Sequence, residues 1–243
     1  MENYRKKIYK HYSSNSGKNL APQTIEGFKS RDPFFNNIIK NHFPKDKSIS
    51  ILEIGCGYGS FGYLIQSSGY ENYIGVDGSE EQVSEAKRLG INIVLGNLVE
   101  YLQSLDDDSL DLIIAIDVIE HFKKEELSDL ISDMYRVVKN EGRVITHQPN
   151  AESPFGSGIR YGDFTHELAF TKSPISQIFL SSKFESVDAY EDKPIGYGFK
   201  SKVRLILWSY LVKPLYKFLL IVESGGVDEN IVLTKNFLTV IKK

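Results

Sequence analysis

Ile51-Leu52-Glu53-Ile54-Gly55-Cys56-Gly57-Tyr58-Gly59-Ser60 is the stretch on which the reading of the fold turns. An apolar run closing in three alternate glycines reads as a buried strand that bends sharply into a helix. Glycine adopts the required torsions and lets a ligand approach the backbone closely. Working outward, the run begins at Ile49 and is short and nearly continuous, as a central parallel strand buried on both faces should be. Before it, Phe34, Phe35, Ile38, Ile39 and Phe43 fall on one face of a helix that Pro44 stops. After it, apolar runs recur at 73–76, 91–95, 110–116 and 143–147 with helix-like segments between them. Ser79 and Gln82 form a capping-box pattern for a helix running to Leu89. Leu127, Leu130, Ile131, Met134 and Val138 make the apolar stripe of a helix over 125–139. The alternation predicts an α/β architecture, a doubly wound and mostly parallel sheet with helices on both faces.

The chain has 243 residues, 41% of them apolar and 25% charged, enough to bury one substantial core. A net charge of -3 gives no electrostatic reason to expect a nucleic-acid partner. Cys56 is the only cysteine, so an intrachain disulfide and a cysteine-cluster metal site are both excluded. That suits a reducing compartment, and a cytoplasmic location is expected. Met1 to Lys7 is basic with no apolar run behind it, which does not read as a secretory signal.

Ser60 stands where a dinucleotide-binding G-x-G-x-x-G turn would need its third glycine. Asp77 ends the next strand about 20 residues on, where a carboxylate can accept ribose hydroxyls. Both observations suit a nucleoside cofactor. Glu53, Gly55, Gly57 and Gly59 together resemble the first motif, E-x-G-x-G-x-G, of class I S-adenosylmethionine (SAM)-dependent methyltransferases. Gly96-Asn97-Leu98 is similar to the family position that touches the adenine amino group, and the Asn97 carbonyl oxygen can accept there. Asp111 to Phe122, with Val118, Glu120 and His121, resembles the fourth motif, and Met134 to Ile145 looks like the helix, glycine turn and fifth strand. These motifs stand in family order over about residues 50–150.

The resemblance implies SAM as cofactor, with Glu53, Gly55, Cys56, Gly57, Gly59, Asp77, Gly78, Asn97, Leu98 and Asp117 around it. It implies a Rossmann-like, mostly parallel seven-stranded sheet in a single methyltransferase domain. Residues 1–45 would be an N-terminal arm and helix, 46–150 the SAM-binding core, and 151–243 an acceptor-side loop, an apolar helical insertion and closing strands from Asn230 onward. Tyr135 and Lys139 match the Y-x-x-x-K spacing of short-chain dehydrogenases, but their place before the fifth strand favours a surface-helix reading. No N-P-P-Y or D-P-P-Y sequence comes after Asp117, which argues against a base-flipping enzyme.

On the acceptor side, His121 comes after the fourth strand, and His166 lies in the cluster Arg160 to Glu167 within a long irregular segment, 149–171. Long loops in compact domains commonly carry function, and imidazole suits a general base, so these two are the catalytic candidates. Asp117, Glu120 and His121 are ligand types at a spacing that could meet one divalent cation. This resembles the E-x-x-E-H group of ubiquinone-pathway O-methyltransferases and small-RNA ribose methyltransferases, with Asp117 in place of the first Glu and His166 a conceivable fourth ligand. The segment 148–150, the Arg160 to Glu167 cluster and the tail resemble methyltransferases of bacterial surface-polysaccharide clusters, implying a sugar or sugar-phosphate hydroxyl acceptor. The contrasting reading is a SAM-binding regulatory or partner protein without catalysis. The apolar run 203–222, broken by Lys213, Pro214 and Lys217, reads first as a cover for the core or a homodimer interface, and second as a peripheral membrane contact, with no transmembrane span. The N-terminal arm and the 149–171 loop are expected to close over the cofactor, with His11, Tyr12 and Arg160 as contacts.

Overall fold

The computed structural model describes residues 4–9, 24–30 and 32–243. Strands β1 (Ile51–Ile54), β2 (Tyr73–Asp77), β3 (Ile93–Leu95), β4 (Leu110–Ile116) and β5 (Val138–Pro149) run parallel. β7 (Asn236–Lys242) lies antiparallel between β5 and the edge strand β6 (Ser186–Glu191). The order across the sheet is β3-β2-β1-β4-β5-β7-β6.

The period of two along the strands sorts side chains into two apolar layers. Leu52, Ile54, Ile113 and Ala115 pack on α5 (Leu98–Gln103), α6 (Lys124–Val137) and α8 (Lys172–Ser181), through Leu102, Leu130, Met134 and Phe179. Ile51, Leu112, Ile114 and Ile116 pack on α2 (Asp32–His42), α3 (Ser60–Ser67) and α4 (Glu80–Arg88), through Phe35, Ile65 and Ala86. Each such buried side chain stabilises the fold by about 1.5–3 kcal/mol before entropy is counted. The chain winds outward from β1 to β3, then crosses to β4 on the other side of β1. The carboxyl ends of β1 and β4 therefore flank the crevice where open α/β sheets bind ligands.

Three expectations change. The helix before β5 ends at Val137, because Val138 already pairs with Leu110; the next pair is Leu112 with Arg143, so 139–142 bulges out with Glu141 at φ 65°. The tail supplies one closing strand rather than two, the sheet edge coming instead from Ser186–Glu191. That edge strand is half-exposed and alternates polar with apolar side chains, so it lacks the continuous apolar signal of the inner strands. Finally, α9 (Phe199–Leu207), a π-helical turn (Trp208–Val212) and α10 (Lys213–Ser224) do not cover the core: among them only Ser201 is buried.

Candidate active site

The glycine turn is built as its spacing requires. Gly55, Gly57 and Gly59 all have positive φ, at 68°, 55° and 76°. At Gly55 a Cβ would stand 2.5 Å from Val118 Cγ2, so the turn presses against the end of β4 as well as bending left-handed. The Gly55 and Cys56 amides donate to the Val76 carbonyl, and Gly59 leads into α3 with no side-chain cap. Cys56 is buried, and burial pushes its thiol pKa up, which fits a small turn residue and not a nucleophile.

Asp77 closes this turn onto the next. Its Oδ2 accepts from the Gly57 amide and its Oδ1 from the Ser79 amide, both at 2.8 Å. Each oxygen keeps a second lone pair, which suits two ribose hydroxyls. Burial raises the Asp77 pKa, and the two amides oppose that rise. Beyond it, a Cβ on Gly78 would find only the Gly96 carbonyl at 3.8 Å, and one on Gly96 only Val76 at 3.9 Å. The ends of β2 and β3 therefore leave space around Gly78 and Gly96 that no side chain fills.

At the end of β4 a second group gathers. A short 3-10 turn (Ile119–His121) buries Glu120, whose Oε2 has no hydrogen-bond partner. Burial raises the Glu120 pKa well above the usual carboxylate range, with Asp117 reinforcing it. His121 Nδ1 is 2.8 Å from Thr165 Oγ1, whose hydroxyl hydrogen goes to Asp163 Oδ1 at 2.6 Å. Thr165 must therefore accept from His121 Nδ1, leaving the Nε2 lone pair of His121 open. His166 Nδ1 donates to the Ile159 carbonyl at 3.1 Å, which fixes the same tautomer, and its Nε2 lies 4.0 Å from Glu120 Oε1. The two imidazoles meet edge to face, with centroids 4.7 Å apart. Burial, with His166 next, lowers the His121 pKa to about 4, so it is neutral across the physiological range. Glu167 and Leu168 amides bond to the Glu120 carbonyl, which is how the long loop brings His166 to the strand end.

Residues 52–146 match the family described as "Methyltransferase domain". A crystal structure of a SAM-dependent methyltransferase from Archaeoglobus fulgidus superposes with a TM-score of 0.66, over 90% of this chain and 95% of that one, at 23% identity. The fold is therefore that of a class I SAM-dependent methyltransferase. Phosphoethanolamine N-methyltransferase 2 of Haemonchus contortus, solved with SAM, shares the fold at a TM-score of 0.61 and 17% identity, over 96% of this chain and 60% of that one. Among curated proteins, hydroxymycolate synthase MmaA4 of Mycobacterium tuberculosis is 23% identical over 171 residues, 69% of this chain. This chain covers 57% of that relative's length.

The structure redistributes the expected residues of the methyltransferase. Gly55, Gly57 and Gly59 form the turn after β1, with Cys56 buried in it, and Asp77 at the end of β2 is tied to that turn through the Gly57 amide. Glu53 is buried beneath it and accepts the Tyr73 hydroxyl at 2.6 Å, which makes it a support for β1 and β2 rather than an open contact. Asn97 caps α5, and Leu98 is that helix's first residue. The Asn97 Oδ1 accepts from the Val99 and Glu100 amides at 2.9 and 3.2 Å, a helix-capping role. Arg160 braces the loop by donating to the His166 and Glu167 carbonyls. Helix α1 (Tyr4–Tyr9) does reach this end: Tyr9 lies edge-on to His121, and Arg5 bridges Glu126 and Glu167. His11 and Tyr12 lie outside the described residues.

Asp117 leaves the metal-ligand set. It sits at φ 56° with Oδ1 2.6 Å from His147 Nδ1, while Asp192 Oδ2 is 3.4 Å from the other ring nitrogen. Against burial, these two carboxylates push the His147 pKa up to about 9, so the ring is a cation. Among the described residues, Glu120, His121 and His166 offer one ligand atom each within 4.8 Å of one another. An orphaned buried carboxylate oxygen and two imidazoles with fixed tautomers suit a divalent cation. A cavity of about 610 Å³ is lined by Phe34, Ile159, Asp192, Arg204, Trp208 and Asn236 among others; Asp192 links it to His147, and the Ile159 carbonyl links it to His166. Sequence reading singled out neither Asp192 nor this cavity, because nothing in the local sequence pairs positions 117, 147 and 192.

Proposed function

We propose that the protein transfers the methyl group of SAM to a hydroxyl of a small acceptor held in the 610 Å³ cavity, with His121 or His166 taking the hydroxyl proton. The observation that carries this reading is the pair of imidazoles at the end of β4, each with Nδ1 occupied and Nε2 presented beside buried Glu120. SAM brings an electrophilic methyl on a good leaving group, so the chain's tasks are to align the nucleophile and remove its proton. Gly55 to Gly59 and Asp77 hold the cofactor in this reading. The His147 cation, held by Asp117 and Asp192, fixes Asp192 in the cavity wall. Lys193, Arg204 and Lys235 line the cavity together with Phe34, Tyr197 and Trp208. Cations beside aromatic faces favour a ring that bears an anionic group, which supports a sugar phosphate, as in capsule or lipopolysaccharide precursors, with the work done in the cytoplasm.

The test is a mass-spectrometric search for acceptors gaining one methyl group from fractionated extract, with S-adenosylhomocysteine formation followed in parallel. Methylation only at nitrogen would overturn the hydroxyl assignment. Binding of S-adenosylhomocysteine with no turnover on any fraction would leave the reading as a regulatory SAM-binding protein. A second reading, metal assistance, is favoured by the orphaned Glu120 oxygen. Glu120, His121 and His166 would hold a divalent ion, which would lower the hydroxyl pKa.

A further inference from the structure

Residues 199–224 form one continuous helix of 26 residues whose most apolar 18-residue stretch has mean hydropathy 1.6, long and apolar enough by composition to cross a membrane, yet none of that stretch is buried. Its exposed apolar side chains keep helical spacing at Val203, Ile206, Leu207 and Tyr210, and again at Leu211, Leu215, Phe218, Leu219 and Val222. The register slips by one residue between Tyr210 and Leu211. The π-helical turn Trp208–Val212 falls at that slip, and a turn holding one extra residue sets the helix beyond it back by roughly 100°. The two halves are thereby joined into one apolar stripe.

The opposite face is anchored to the domain. Lys213 pairs with Glu191 at 3.0 Å, Lys217 donates to the Glu229 carbonyl, and Tyr216 packs edge-on against Phe155. Trp208 and Arg204 line the cavity beside the strand ends. The helix is held by its polar side and turns its apolar side outward.

We infer that this stripe lies in the surface of an anionic lipid bilayer, with the helix parallel to the membrane plane. Charge selects the occupant. Lys200, Lys202, Arg204, Lys213 and Lys217 stand against Glu223 alone in the helix, while the whole chain is net -3. Lys200, Lys202 and Arg204 are exposed, beside Phe199 and Tyr210, the mixture of cations and aromatics that suits the headgroup region. Topology excludes a single crossing. The helix is an excursion between β6 and β7, which are hydrogen-bonded neighbours from Ser186↔Lys242 to Glu191↔Phe237 and must lie on one side of a bilayer. Docking this way places the mouth of the cavity, through Arg204 and Trp208, at headgroup level. Membrane docking rests on the helix alone and is independent of the acceptor chemistry.

The test is co-sedimentation of the full-length protein with phosphatidylcholine vesicles, with and without phosphatidylglycerol. The wild type should bind the anionic vesicles at least tenfold more tightly than the neutral ones, and added salt should release it. Leu211→Glu with Phe218→Glu should abolish binding, and Lys200→Glu with Lys202→Glu should weaken it by about tenfold. All four positions are exposed, and unchanged melting and S-adenosylhomocysteine binding would show that the domain is intact. Equal binding by wild type and the Leu211→Glu, Phe218→Glu variant overturns the inference. So does a failure of wild type to bind either vesicle, or resistance of bound protein to alkaline carbonate, which would mean insertion. A concentration-dependent dimer that the double variant dissociates, without vesicle binding, assigns the stripe to a second copy instead.

Discussion

His121, His166 and His147 lie at one end of the sheet, and what their ring nitrogens already hold separates their roles. His147 is flanked by two carboxylates, and its pKa, pushed up to about 9, leaves it protonated at neutrality. It cannot take a proton there. His121 and His166 keep Nε2 open, so His121→Ala or His166→Ala should lower turnover by roughly 100-fold to 10,000-fold. Calorimetry should show S-adenosylhomocysteine affinity nearly unchanged, and full turnover in both variants would refute the assignment. EDTA tells whether a metal contributes: loss of activity restored by Mg²⁺ or Mn²⁺ means that Glu120, His121 and His166 act as ligands, and indifference means plain base catalysis. Asp77 makes the complementary case for the cofactor. Two charge-assisted hydrogen bonds to ribose should make Asp77→Ala bind S-adenosylhomocysteine more than roughly a hundredfold more weakly, since such bonds contribute about 1.5–3 kcal/mol each. Asp77 was legible in the sequence because one strand end and one glycine turn fix its place. The Asp117–His147 pair was not, since the residues share no local motif and meet only because β4 and β5 are neighbours.

Among the elements, the turn after β1 is the one whose sequence and geometry agree most closely, and it yields a stability prediction. Gly55→Ala meets a positive φ and a 2.5 Å approach to Val118 Cγ2 together. The torsion alone costs roughly 1–3 kcal/mol, and the clash adds to it. Val118→Ala in the same chain should recover the steric part and leave the torsional part. Urea midpoints of the single and double variants would check this, and a Gly55→Ala protein as stable as wild type would show that the turn can be relaxed. The inner strands were readable because burial on both faces forces unbroken apolar runs such as Leu112 to Ile116. Ser186–Glu191 was not, because an edge strand buries little and its alternation with charge resembles a loop. The helix 199–224 was legible as a helix, while its outward orientation comes from Lys213, Tyr216 and Lys217, whose partners are remote in sequence.

At the scale of the whole molecule, the His147 cation ties the end of β4, through Asp117, and the segment after β6, through Asp192, to β5 at the centre of the sheet. This makes global stability depend on pH, with a sign that can be worked out. The folded His147 pKa of about 9 lies above the ordinary histidine value of 6.5, which stands for the unfolded chain. The contribution is therefore fully present below about pH 6.5, declines as pH rises between the two values because only the folded state still holds the proton, and is lost once pH passes the folded pKa. The melting temperature should fall from pH 6.5 to pH 9 in the wild type. In Asp192→Asn, which keeps the shape and removes one of the two charges, the folded pKa should drop and the decline should be complete at lower pH. His147→Gln should lack this slope, at the expense of lower stability at pH 6.5, because a neutral amide leaves Asp117 without its cation. Scanning calorimetry of the three proteins across this range is the measurement. A wild-type profile as flat as that of His147→Gln would mean that the ring is neutral in the folded protein, and it would then compete with His121 and His166 as the proton acceptor.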